Sequence, residues 1–134
     1  MSRVFPDASG RPQFLASAKV RISTERGFAY IDDGAIEIIL AERYYRDGSP
    51  LDLYLDLLHE LTHLRQLGEG HDLWDDSYVY PDRPTEVEGY AVAVEEGRRL
   101  GMSETEILVH LSNPWMTRAD VERLYANVNA SLSG

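Results

Sequence analysis

His59-Glu60-Leu61-Thr62-His63 sets two histidines four residues apart inside a strongly helical stretch, and no other feature constrains the chain as much. Four residues are little more than one helical turn. On an α-helix both imidazoles therefore project from one face and can hold one metal ion. Glu60 then falls beside that ion, where a carboxylate can take a proton from a metal-bound water. The pattern demands a helix, and the flanking residues supply its ends. Ser49 can cap it, Pro50 fits its first position and Asp52 suits its first turn. The helix is expected from about Leu51 to Leu67, stopped at Gly68.

The chain has 134 residues, 43% of them hydrophobic, which predicts one domain over residues 1–134 with a modest core. Cysteine is absent. That removes disulfides and thiolate ligands, leaves His, Asp and Glu as the strong metal ligands, and is compatible with a cytoplasmic location. Met1 to Pro6 does not read as a secretory signal, and no 18-residue apolar run suggests a membrane span. A net charge of −10 argues against nucleic acid or an anionic membrane as partner.

The first 18 residues read as irregular. Strands are expected at Lys19–Ser23, Gly27–Asp32 and Ala35–Leu40, the last two joined by a hairpin at Asp33-Gly34. After Gly68 comes a loop to Pro84 rich in Asp, Gly and aromatic residues. Helices then follow over about Thr85–Leu100, Ser103–Leu111 and Thr117–Leu132, the second opened by a Ser103-x-x-Glu106 capping box. Strands first and helices afterwards predict an α+β fold with a small antiparallel or mixed sheet.

A catalytic zinc needs three protein ligands and an open position. Beyond the two histidines, the candidates are Glu69, His71, Asp72, Glu86 and Glu88. A metzincin would place a third histidine at position 69, which is Glu69, and its glycine two residues before Gly68. Glu86 and Glu88 point roughly 200° apart on a helix, so only one can face the metal. Glu88 shares a solvated stripe with Glu95 and Arg99, and Thr85 with Glu88 spells a capping box. Glu86 shares its stripe with Gly89, Tyr90, Ala93, Gly97 and Leu100, small or apolar residues suited to close helix packing. Glu86 is the expected third ligand.

The motif His59-Glu60-x-x-His63, followed after a loop by a helix carrying Glu86, resembles the gluzincin group of zinc metallopeptidases. The segment Glu86-Val87-Glu88-Gly89-Tyr90 is similar to the E-x-E-A-D third-ligand helix of some members, whose first Glu binds zinc. The chain is also similar in size to the single-domain minigluzincins, and the resemblance spans about Ile36 to Leu100. It implies a zincin-like fold, with a small sheet followed by the two metal helices and C-terminal helices. Gly89 and Tyr90 stand where those relatives carry Ala and Asp, so a carboxylate orienting a histidine must come from elsewhere. The thermolysin-like E-x-x-x-D spacing is absent, since Tyr90 stands four after Glu86.

These residues predict a zinc peptidase acting on a peptide or protein, with Zn2+ on His59, His63 and Glu86 and with Glu60 as general base. The alternative is a non-catalytic or latent zinc domain in which the metal stabilises the fold or a partner interface. Tyr78, Tyr80, His71 and His110 are all candidate oxyanion donors, and spacing favours none; for each alone, packing or surface exposure is the simpler role. Asp72, Asp75 or Asp76 can supply the orienting carboxylate. The strand Ala35–Leu40 is either a peptide-binding sheet edge or an ordinary core strand. The segment Ser103–Gly134 can fold across the cleft, with Glu104, Glu106, Asp120 or Glu122 available to fill the open metal position.

Overall fold

In the computed structural model the described residues are 18–24, 27–32, 34 and 36–134. The irregular segment expected at the start lies, but for residue 18, outside them, as do Asp33 and Ala35 of the expected hairpin turn. Three short strands form a mixed sheet: β1 (Val20–Ser23), β2 (Ala29–Asp32) and β3 (Glu37–Ala41). Their order is β1-β3-β2. β3 runs parallel to β1, with Val20 opposite Ile38, and antiparallel to β2, with Asp32 opposite Glu37. The strand proposed as a possible sheet edge is therefore the central one. Its four consecutive buried residues, Ile38 to Ala41, fit a strand paired on both sides. Among the described residues, β2 is the outer strand on the side of the cleft.

Five helices follow among the described residues: α1 (Glu42–Asp47), α2 (Pro50–Gly68), α3 (Pro84–Arg99), α4 (Glu104–Leu111) and α5 (Arg118–Ser133). A short 3₁₀ turn, Tyr80–Asp82, precedes α3. Neither α1 nor this turn was expected. In α2 the Ser49 side chain accepts from Asp52 N–H, with Pro50 in the first turn, as its residues predict. Its end differs from expectation. Gly68 is still helical, and Gly70, at φ +88°, takes the left-handed turn. His71 N–H then bonds Gln66 C=O and Gly70 N–H bonds Leu67 C=O, the paired closure of a Schellman motif. The predicted box at Ser103 and Glu106 forms, and a second one joins Thr117 to Asp120.

The expected capping box at Thr85 and Glu88 does not form. Pro84 starts α3 one residue earlier, with Arg83 at the cap and no side-chain bond there. Thr85 thus sits inside the first turn, where its hydroxyl cannot cap.

α3 is the axis of the helical layer, with every residue from Gly89 to Val94 buried. Val92 and Ala93 pack on Leu55 and Leu58 of α2. Tyr90, Ala91 and Val94 pack on Ile107, Leu111, Leu124 and Val128 of α4 and α5. On its other side α2 meets the sheet, where Leu64 packs with Ile31, Ile38 and Leu73. Full burial of each such side chain contributes about 1.5–3 kcal/mol. This packing holds α2 between sheet and α3, so its metal-facing side is fixed relative to both. No helix among the described residues is long and apolar enough to cross a membrane.

Candidate metal centre

α2 carries His59 and His63 on one face, their rings edge to face with centroids 4.5 Å apart. α3 brings Glu86 against them. Oε1 of Glu86 lies 3.0 Å from His59 Nε2 and 2.9 Å from His63 Nε2. All three potential ligand atoms fall within 4.8 Å of one another, close enough for the group to hold a metal ion. A tetrahedral ion with bonds of about 2.0–2.1 Å needs ligand atoms about 3.3 Å apart, so the two contacts of Glu86, at 3.0 and 2.9 Å, would open by only a few tenths of an ångström to receive one. The predicted triad is assembled, and Glu86 rather than Glu88 faces the histidines.

Close helix approach makes this possible. A Cβ on Gly89 would stand 2.9 Å from His59 Cε1 and 3.0 Å from Nδ1, so the imidazole occupies the space a side chain would fill. The Tyr90 ring lies against the same imidazole at 4.3 Å. Gly89 and Tyr90, where the resembled family carries Ala and Asp, thus hold His59 by packing. Its Nδ1 is buried without a hydrogen-bond partner.

His63 is held differently. Nε2 of Gln66 donates to Glu88 Oε1 at 2.7 Å and to Thr85 C=O at 3.1 Å. Both partners only accept, so the amide oxygen must face His63. Oε1 of Gln66 lies 2.8 Å from His63 Nδ1. Nδ1 therefore carries a proton, and Nε2 is the nitrogen a metal would take once the proton it shares with Glu86 is displaced. Arg65 also donates to Glu88, at 2.6 Å. Glu88 thus reaches His63 through the Gln66 amide. Asp72 and Asp75 instead accept from backbone N–H groups in their own loop.

The charges of the site are strongly perturbed. Burial pushes Glu86 up, but hydrogen bonds from His59 and His63 outweigh it and hold its carboxyl far below the usual range. Burial lowers His63, yet Glu86 and Glu60 together push it up to about 9. Burial and the neighbouring His63 lower His59. Glu60, 8% exposed, is pushed up to about 8 by burial and by Glu86 and Asp56, with His63 opposing. A carboxyl tuned near neutrality can both accept and return a proton.

These groups line a cleft of about 730 Å³. Its lining includes residues 27–31, with most of β2, together with Trp74, Tyr80 and the α4–α5 loop from Ser112 to Trp115. Of the four candidate donors, Tyr80 and His110 line the cleft. His71 is exposed beside Glu69, and Tyr78 is exposed elsewhere. His110 Nδ1 lies 2.9 Å from Asp52, and Asp56 accepts from Tyr44 OH at 2.5 Å, so these groups tie α4 and α1 to α2.

None of the four carboxylates proposed to fill the metal position is among the residues lining the cleft. Glu104 pairs with Arg98, Glu122 pairs with Arg118, and Glu106 and Asp120 complete capping boxes. Gln66, Asp56 and Asn113 were missed. The first two had a signal: Gln66 follows His63 by three residues, and Asp56 precedes Glu60 by four, each on a shared helical face. No protein-family model, curated protein or solved structure matches this chain.

Proposed function

We propose that the chain is a zinc-dependent peptidase of gluzincin type, with His59, His63 and Glu86 as ligands. The observation that carries this reading is the convergence of two Nε2 atoms on one Glu86 oxygen in a cleft that also holds Glu60. Imidazole and carboxylate donors without thiolates suit zinc at a catalytic rather than a purely structural site. A bound zinc supplies a water of lowered pKa and polarises the scissile carbonyl.

The remaining work falls to the chain's own groups. Strand β2 borders the cleft, and an extended peptide lying along it would bring a scissile bond beside Glu60. Glu60 takes the proton of the attacking water and returns it to the leaving amine. Its raised proton affinity suits the second step as well as the first. Tyr80 lines the same cleft, and its hydroxyl is the candidate donor for the developing oxyanion.

A structural site would leave Glu60 as a buried carboxylate without a task, which costs stability. The test is cleavage of a mixed peptide library by zinc-loaded wild type and by Glu60→Gln. Cleavage by the wild type alone, with zinc bound equally to both, supports the peptidase. Zinc bound by both with no cleavage by either would favour the non-catalytic reading.

A further inference from the structure

The hydroxyl of Tyr80 is useful to an oxyanion only if its proton points into the cleft, and its neighbours decide that. Tyr90 is 6% exposed, and Tyr80 OH lies 2.6 Å from Tyr90 OH, a contact in which either oxygen can donate. The tie is broken by Asn113 in the α4–α5 loop. Its Nδ2 donates to Tyr90 OH at 2.8 Å, and the same nitrogen faces Met116 Sδ at 3.8 Å, a second acceptor. Tyr90 oxygen is thus already an acceptor, while its own buried proton still needs a partner. Tyr80 oxygen stands within reach to receive it. The chain of donation then runs from Asn113 to Tyr90 to Tyr80 and leaves the Tyr80 proton free for the cleft that holds His59, Glu60 and Glu86.

The backbone under Tyr80 is anchored from the same side. Asn127 of α5 donates to Pro81 C=O and to Asp82, both at 2.9 Å, and Arg123 pairs with Asp82. Trp115, also from the α4–α5 loop, packs edge-on against the Tyr80 ring at 6.0 Å. Position comes from α5 and proton direction from Asn113.

We infer that Asn113 is a positioning residue that acts through Tyr90 to aim the Tyr80 hydroxyl at the reacting carbonyl. The C-terminal helices would then serve the site rather than block it. This inference rests on the peptidase reading and adds a polarity to it.

Asn113→Asp keeps the shape and reverses the polarity. A carboxylate accepts from Tyr90, whose oxygen then draws the Tyr80 proton away from the cleft. Asn113→Leu removes the bias without reversing it, and Tyr80→Phe removes the donor. The three variants and the wild type would be zinc-loaded and assayed for zinc content, kcat and KM on a peptide the wild type cleaves. Acetohydroxamate affinity, read by calorimetry, gives a measure apart from turnover. Tyr80→Phe and Asn113→Asp should each lose on the order of 100-fold in kcat with KM within about threefold and zinc unchanged. Asn113→Leu should lose less, and acetohydroxamate should bind both stronger-effect variants about tenfold more weakly.

An Asn113→Asp enzyme with wild-type kcat beside a crippled Tyr80→Phe would overturn the relay while leaving the donor in place. A fully active Tyr80→Phe would overturn both. A wild type that binds zinc but cleaves nothing would remove the peptidase reading itself, and the relay with it.

Discussion

Gly89→Ala should weaken metal binding in a protein that otherwise folds well. Two effects of opposite sign meet at this position. In a helix interior Ala is favoured over Gly by about 1 kcal/mol. Here the added methyl would stand 2.9, 3.0 and 3.3 Å from three atoms of the His59 ring. Carbon atoms prefer about 3.5–4.0 Å, so the ring must withdraw by about 0.6 Å. Its retreat is bounded by Tyr90 at 4.3 Å and His63 at 4.5 Å. Overpacking of this kind costs about 1–3 kcal/mol, which the helix gain partly offsets. Global stability should therefore change by no more than about 2 kcal/mol. The metal is less forgiving, because its bond lengths tolerate only about ±0.2 Å. Zinc affinity should fall by about 10–100-fold, the usual cost of disturbing what orients a ligand. Chelator competition reads the affinity, and thermal unfolding in excess chelator reads the fold. Zinc bound within twofold of wild type would show that His59 has room to move, and would refute the close-approach reasoning.

Three further outcomes follow from the same geometry. Glu60→Gln should retain zinc and lose at least about 100-fold in peptide hydrolysis, measured by equilibrium dialysis and by turnover. Gln66→Glu should weaken zinc about 10–100-fold, because a carboxylate there meets Glu88; adding Glu88→Gln should recover most of the loss, since the new amide can donate to the new carboxylate. Zinc affinity should rise with pH up to about 9, the value to which Glu86 and Glu60 push His63 against burial, because the ion must displace that proton. The sign for folding is the reverse: in chelated protein the proton on His63 contributes stability that is full below about pH 6.5 and lost as pH rises through 9. Calorimetry in buffers of different ionisation enthalpy would read the proton release, and a pH-independent zinc affinity from 6 to 9 would contradict it.

Local chemistry made much of this legible. The start of α2, the box at Ser103 and Glu106, and the 100°-per-residue geometry that separates Glu86 from Glu88 all depend on neighbours within a turn or two. The sheet was harder, because strand order is a long-range property. Nothing in Glu37–Ala41 alone says that β1 pairs on its far side, although four buried apolar residues in a row carried a hint. Thr85 and Glu88 spelled a box that Pro84 pre-empted by starting the helix earlier. Glu88 was read as solvated, yet Arg65 and Gln66 both donate to it, and its role emerges only once α2 and α3 are side by side. Asn113 reaches Tyr90 across 23 residues of sequence, a contact no periodicity encodes.

The claim at the centre is that His59, His63 and Glu86 together hold one zinc ion. Zinc content and affinity of reconstituted wild type beside Glu86→Ala test it most directly. One tightly bound ion per chain, lost or weakened by orders of magnitude in Glu86→Ala, is the predicted result. A wild type that binds no zinc after reconstitution, or a Glu86→Ala protein that binds it as well as wild type, would contradict it.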